Sequence, residues 1–257
     1  MLICRTARAK QLSDMAETWL TIVVPAYNEE HRIEASLHKL RAYAQAQQLP
    51  VEVIVVDDGS TDATAAVVAK FPEVRYIRLA APNHGKGYAV RHGVLEASSN
   101  LVLFTDADLS SPIEEVDNLV AALETNGAAA AVGSRALRRE LIGVRESLIR
   151  DYSGRCYNLL VRLFTGLRIR DTQCGFKLFR MDLARRAFEL QRVWGFGFDP
   201  ELLFLIERTG GKIVEVPVRW NHDAATKVRF PWDPIRMFAD LVLLRMRSMG
   251  TTYSQSK

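Results

Sequence analysis

Cysteine is scarce in this sequence: Cys4, Cys156 and Cys174 are the three among 257 residues. They are odd in number and no two are closely spaced, so they support neither a disulfide framework nor a zinc knuckle and suit a reducing compartment. No eighteen consecutive residues are apolar, which excludes a membrane-spanning helix and leaves any bilayer contact to be interfacial. A Walker A loop is missing, and no G-x-G-x-x-G follows the first strand candidate, which argues against a dinucleotide dehydrogenase. The five histidines, His31, His38, His84, His92 and His222, show no ligand spacing; His31 and His38 read as helix-surface residues. Repeats and low-complexity tracts are absent too.

What is present is an ordinary globular composition. At 48% hydrophobic and 25% charged, the chain is long enough to bury a core without covalent staples. The formal net charge of +4 is unevenly spread. Between Arg135 and Arg192 fourteen Lys or Arg stand against six Asp or Glu, an excess that fits either phosphate-bearing partners or a solvated helical face. The first 17 residues have no apolar stretch long enough for a signal peptide, and Met15 is an alternative start.

Short apolar runs alternate with helical patterns through the first half, which predicts βα units and a largely parallel sheet. Strands are expected at Trp19 to Pro25, Val51 to Asp57, Val74 to Leu79, Leu101 to Thr105 and Ala128 to Gly133. Helices are expected at Glu29 to Gln48, Asp62 to Phe71, Gly87 to Ser98 and Pro112 to Asn126. Ser111 and Glu114 form a capping-box pattern at the start of the last of these. The second half holds a basic helical stretch from Arg145 to Thr165 and an apolar segment from Gly175 to Met181. A helix from Pro200, a strand from Lys212 and an amphipathic, cationic helix from Pro234 to Met249 follow. That last helix either packs on the core or lies on a membrane surface.

In such a sheet, ligands sit beyond the carboxyl ends of the strands. Three strand ends there carry polar clusters: Pro25-Ala26-Tyr27-Asn28-Glu29, Asp57 to Asp62, and Asp106-Ala107-Asp108. Helix capping explains any one alone; acidic pairs at both the second and fourth strand ends call for a cation. Asp106 and Asp108, one residue apart, suit Mg2+ or Mn2+, which take one or two carboxylates and fill the rest of their shell with phosphate and water. Gly85-Lys86-Gly87, just before a helix, offers backbone amides and an ammonium to anionic groups.

The ordered set of P-x-Y-N-E at Pro25, DDGSTD at Asp57, GKG at Gly85 and DAD at Asp106 resembles family 2 glycosyltransferases of the GT-A fold. Gly133-Ser134-Arg135, the run Asp171 to Lys177, Phe198 to Glu201 and Thr226 to Arg229 resemble its polyprenyl-phosphate branch. Within that branch the dolichyl-phosphate glucosyltransferases are nearest and the mannose synthases next. The resemblance covers about residues 20 to 245. It implies an α/β, Rossmann-like, mostly parallel central sheet with flanking helices plus C-terminal amphipathic helices. It divides the chain into an extension at 1–18, a catalytic domain at 19–230 and an amphipathic helix and tail at 231–257.

The implied activity is inverting transfer of a hexose, glucose from UDP-glucose favoured over mannose from GDP-mannose, to a polyprenyl or dolichyl phosphate. Pro25, Tyr27, Glu29, Asp58, Lys86 and Asp106 would bind the nucleotide, and Asp106 and Asp108 the metal. Arg135, Gln173, Asp199, Lys227 and Arg229 would lie near the phosphates or the acceptor. Asp108, Arg135 and Lys227 would carry the chemistry. Asp199 reads equally as a helix N-cap, or as the base that a hydroxyl acceptor would require. The implied partners are a nucleotide sugar, a polyprenyl-phosphate lipid and the cytoplasmic face of a membrane, bound peripherally. Nucleic acid is not implied, because no recognition motif accompanies the basic block. A sugar nucleotidyltransferase and a catalytically silent lipid-surface adaptor are the competing readings. The QxxRW motif of polysaccharide-building relatives is absent: in Gln191-Arg192-Val193-Trp194 the Arg directly follows the Gln.

Overall fold

Strands that are apolar at nearly every position, not at alternate ones, must be covered on both faces, and the central ones at 20–26 and 101–105 are. A computed structural model describes residues 18–143, 148–221 and 232–249. Its strands are β1 (Leu20–Ala26), β2 (Val51–Asp57), β3 (Arg75–Arg78), β4 (Leu101–Thr105), β5 (Ala130–Ser134), β6 (Phe176–Arg180) and β7 (Ile213–Pro217). They form one sheet in the order β3-β2-β1-β4-β6-β5-β7. All neighbours are parallel except β6, which runs antiparallel to both β4 and β5. The edge strand β3, sequence RYIR, exposes both terminal arginines, a charge pattern that discourages further strand pairing.

The helices are α1 (Ile33–Ala46), α2 (Thr64–Val68), α3 (Lys86–Glu96), α4 (Val116–Asn126), α5 (Leu148–Thr165), α6 (Met181–Leu190), α7 (Phe198–Arg208) and α8 (Trp232–Met249). Alternation along the strands divides the core. Ile22, Val24, Val55 and Leu103 pack with Leu37, Leu40, Leu119 and Leu123 of α1 and α4. Val23, Ile54, Val56 and Phe104 pack on the other side with Val90, Val94, Phe188, Leu202 and Leu205 of α3, α6 and α7. The expected mostly parallel sheet with flanking helices is therefore present, and a C-terminal helix follows it.

Three local expectations need correction. The capping box does not form: Ser111 Oγ is buried without a partner among the described residues, and a 3-10 turn at Ile113–Glu115 precedes α4. It is Glu115 that turns inward, where it accepts a hydrogen bond from Arg219 Nε. The apolar segment at 175–181 is the antiparallel strand β6, followed without a break by the unforeseen α6. The basic block is not a single solvated face, since Lys177 is fully buried and Arg135 is paired with Asp171.

The last helix packs on the core with only part of its apolar side. Only Leu241 and Leu244 of α8 are buried, whereas Trp232, Ile235, Phe238, Leu243, Met246 and Met249 are exposed. On α5, Tyr152, Leu159 and Leu163 are exposed likewise, and Phe164 meets Phe238 edge-on at 6.0 Å between ring centres. At 100° per residue each set falls on one helix face. Arg155, Arg162, Arg236 and Arg245 are exposed on the same two helices. Among the described residues no helix is long and apolar enough to cross a membrane.

Candidate active site

The strand order reverses direction between β1 and β4, so their carboxyl ends open a crevice at the switch point of the sheet. The loops around it are stitched together by side chains. Asn28, at φ 54°, donates its backbone N–H to Ser60 Oγ at 2.9 Å and accepts from Thr61 N at 2.8 Å. Glu29 N donates to Thr64 Oγ1 at 2.8 Å, while its carboxylate receives Arg32. Asp57 is sealed in the core, where it accepts Ser60 N at 2.7 Å and the Tyr76 hydroxyl. Burial and the Asp57 carboxylate both raise the Tyr76 phenol, so it remains a donor. Pro25 and Tyr27 are half-buried at the same rim.

The Gly85-Lys86-Gly87 segment behaves differently from expectation. Its preceding amides do not await an external anion: His84 N donates to Asp58 at 3.0 Å and Gly85 N does so at 2.6 Å. Gly85 adopts φ +114°, a conformation that L side chains rarely reach. Asp58, with His84 Nδ1 also 3.2 Å away, thus fixes the turn that starts α3.

Lys86, the first residue of that helix, sends its ammonium 2.6 Å from Asp106 Oδ1 and 5.2 Å from the centre of the Phe104 ring. Burial would lower its pKa; the Asp106, Asp199 and Asp108 carboxylates outweigh burial and hold it above the usual lysine value. Asp108 is pushed up, first by burial and then by the charge of Asp106. It accepts Ser110 N at 2.9 Å, and Arg32 Nη1 lies 3.8 Å from its other oxygen.

Asp106 lies directly over Gly175, where an added Cβ would fall 1.9 Å from Oδ2. Asp106 and Asp108 therefore share an electrostatic environment. Among the described residues no group of three or more ligand-type side chains gathers, and two carboxylates fit a hard divalent ion only where a phosphate ligand and water complete the shell.

Beside this rim lies a second cluster. Arg135 grips Asp171 through Nε at 2.7 Å, Nη2 at 2.9 Å and its own backbone N–H at 3.0 Å, while its guanidinium lies 5.2 Å from the Trp220 ring centre. Burial pushes the Asp171 carboxyl up, but Arg135 overrides it and leaves the group below the usual carboxylate range. Gln173 Nε2 is buried without a partner among the described residues. Asp199 is not an N-cap. It is 3% exposed and accepts Lys177 Nζ at 2.6 Å, and Lys177 also donates to the Cys174 carbonyl. Burial raises the Asp199 carboxyl despite Lys177 and Lys86. Lys227 and Arg229 lie outside the described residues.

Sequence reading named the rim carboxylates and Lys86 but passed over Arg32, Asp171 and Lys177 as partners. Arg32 had a local signal, its i,i+3 spacing from Glu29. Lys177 closes the Asp171 to Lys177 motif, but its pairing left no local trace, since its partner Asp199 lies 22 residues away.

The Glycosyl transferase family 2 profile matches residues 21–188. This chain belongs to glycosyltransferase family 2. The family 2 chain is 37% identical over 260 residues to a dolichyl-phosphate beta-glucosyltransferase of Drosophila melanogaster, covering 95% of this chain and 79% of that protein. Against the Saccharomyces cerevisiae protein of the same name identity is 34%, with the same coverages. The Homo sapiens protein is 36% identical, over 89% of this chain and 75% of its own.

Among solved structures, mannosyl-3-phosphoglycerate synthase from Rubrobacter xylanophilus superposes with a TM-score of 0.68 at 16% identity, covering 97% of this chain and 79% of that one. Glucosyl-3-phosphoglycerate synthase from Mycobacterium tuberculosis, in complex with Mn2+ and UDP-glucose, does so at 0.61 and 20%, covering 97% and 84%. These structural matches establish the fold of the family 2 chain, which is GT-A.

Proposed function

We propose that this chain is an inverting glucosyltransferase that moves glucose from UDP-glucose to dolichyl phosphate or a related polyprenyl phosphate at a membrane surface. The observation that carries this reading is the likeness to dolichyl-phosphate beta-glucosyltransferases, which extends over 95% of the chain and so spans both the donor rim and the Arg135–Asp171 cluster. In this reading Pro25, Tyr27, Glu29 and Asp58 line the nucleoside pocket, and Lys86 serves the diphosphate. Arg135, Gln173, Lys227 and Arg229 receive the acceptor phosphate. Asp199 acts from beneath, through Lys177.

Asp106 and Asp108 would hold a Mg2+ or Mn2+ whose charge offsets that of the diphosphate. A lipid monophosphate has its second pKa near ~6, so it attacks the anomeric carbon already ionised and no side chain has to remove a proton. Lys86 and Arg135 then stabilise charge on the departing nucleoside diphosphate and the entering phosphate, fixed in place before reaction as electrostatic catalysis requires. In-line displacement converts an α-linked donor into a β-linked lipid. The burial of Asp199 against Lys177 supports a phosphate acceptor over a hydroxyl one, because the carboxylate that would serve as base is engaged and closed to solvent.

The exposed apolar faces of α5 and α8, studded with arginines, support peripheral binding to an anionic bilayer. Free Cys156 and Cys174 suit the reducing, cytoplasmic side. The test is incubation with dolichyl phosphate in anionic vesicles, Mn2+ and either UDP-glucose or GDP-mannose. Glucosylated lipid with release of UDP is expected. Mannosyl transfer would move the chain to the mannose branch, and pyrophosphate release would indicate a nucleotidyltransferase. Failure of both donors and the metal to bind would leave a lipid-surface adaptor.

A further inference from the structure

Lys86 occupies a position that the donor reading leaves unexplained. Its ammonium lies 2.6 Å from Asp106 Oδ1, where a divalent ion shared by Asp106 and Asp108 would take an oxygen lone pair. The groups around Lys86 are fixed. Asp58 pins the turn before it, Gly175 leaves no room for Asp106 to shift toward β6, and Lys177 already neutralises Asp199. A doubly charged ion entering at Asp106 therefore meets a cation at contact distance, and Lys86 has no other unsatisfied carboxylate to move to among these groups.

We infer that Lys86 is an internal cation that competes with the divalent ion for Asp106, and that the donor's diphosphate relieves the competition by giving the ammonium a new partner. Metal and nucleotide diphosphate then bind as a coupled pair, each raising the affinity of the other by the same factor. Lys86 is the counter-ion of Asp106 in the empty protein and a phosphate ligand in the loaded one. No bond is made or broken in the exchange; one ion pair replaces another. This inference rests on the proposed use of a metal and a nucleotide sugar.

The test measures free Mn2+ by its electron paramagnetic resonance signal against the full chain, with and without UDP, alongside UDP binding by calorimetry. In the wild type, saturating UDP should tighten Mn2+ at least tenfold, with the reciprocal gain for UDP. Lys86→Met should bind Mn2+ alone about tenfold more tightly than the wild type and show an enhancement by UDP that is smaller by a similar factor. Lys86→Arg, which keeps the competing charge, should retain weak Mn2+ binding without UDP. Equal or weaker Mn2+ binding by Lys86→Met, at an unaltered thermal midpoint, would overturn the inference. Wild-type Mn2+ affinity indifferent to UDP would overturn it also, and needs no variant to fold. Absence of UDP binding to the wild type would instead remove the donor reading on which it stands.

Discussion

Lys177 and Asp199 meet at 2.6 Å beneath the crevice, with side chains 0% and 4% exposed. The pair ties the antiparallel strand β6 to the first turn of α7. The same ammonium lies 5.6 Å from the Phe104 ring, which Lys86 approaches at 5.2 Å. Two lysines from different elements thus share one aromatic ring and face carboxylates from two others.

Lys177→Met should destabilise the protein by about 3–5 kcal/mol, the usual cost of leaving one member of a buried ion pair alone. Lys177→Met with Asp199→Leu should recover much of that loss, because no charge then remains stranded. Urea denaturation of the two single variants and the double one forms the cycle; additive losses would mean that the pair is not coupled.

Arg135 and Asp171 make acid stability diagnostic. The Asp171 pKa is lowered in the folded protein, so the unfolded chain holds more protons at this site and stability rises with pH. The contribution is complete above the unfolded value near ~3.9 and fades as pH falls toward the folded one. Asp171→Asn should therefore be several kcal/mol, roughly 3, less stable at pH 7, with a gap from the wild type that narrows at pH 3. Denaturant titrations at both values would show it, and a gap that widens in acid would refute the assignment.

Gly175→Ala should damage catalysis more than folding. Its methyl group would lie 1.9 Å from Asp106 Oδ2, so the carboxylate has to move. A displacement of about 1 Å at a reacting centre costs on the order of 100-fold in rate. Turnover of UDP-glucose and Mn2+ binding should both fall while circular dichroism stays native; full turnover would show that Asp106 has freedom the structure denies it.

Trp232→Ser with Ile235→Ser and Leu163→Ser should leave stability within about 0.5 kcal/mol, since all three side chains are exposed. Sedimentation with anionic vesicles should drop sharply, each large apolar side chain contributing roughly 1.5–3 kcal/mol when withdrawn from water. Transfer to a short, water-soluble prenyl phosphate should persist. Unchanged vesicle binding would remove these helix faces from the membrane contact.

The sheet was legible because its strands contain dense apolar runs, Val53–Val56 and Leu101–Phe104 among them, and the strands Val51–Asp57 and Leu101–Thr105 fall where the sequence puts them. The junction of β6 and α6 was not. Arg180 passes directly into Met181 with no glycine, proline or cap between them, so nothing local marks the change of structure. In the crevice, Asp106, Asp108 and Lys86 could be named because strand ends and glycine-flanked turns are visible in a single sequence. The groups around them, Arg32 beside Asp108, Asp199 near Lys86 and Gly175 under Asp106, come from other segments, and only the folded chain brings them together.

Since β6 runs against its neighbours, Thr105 lies opposite Phe176 and Asp106 N donates to the Gly175 carbonyl at 3.2 Å. The chain thus leaves the crevice along β6, whereas β1, β2 and β4 run into it. The segment between β5 and β6 therefore leaves and re-enters the sheet at one rim, with Val132 opposite Lys177 across the two strands, so its length can change without altering the register of either strand.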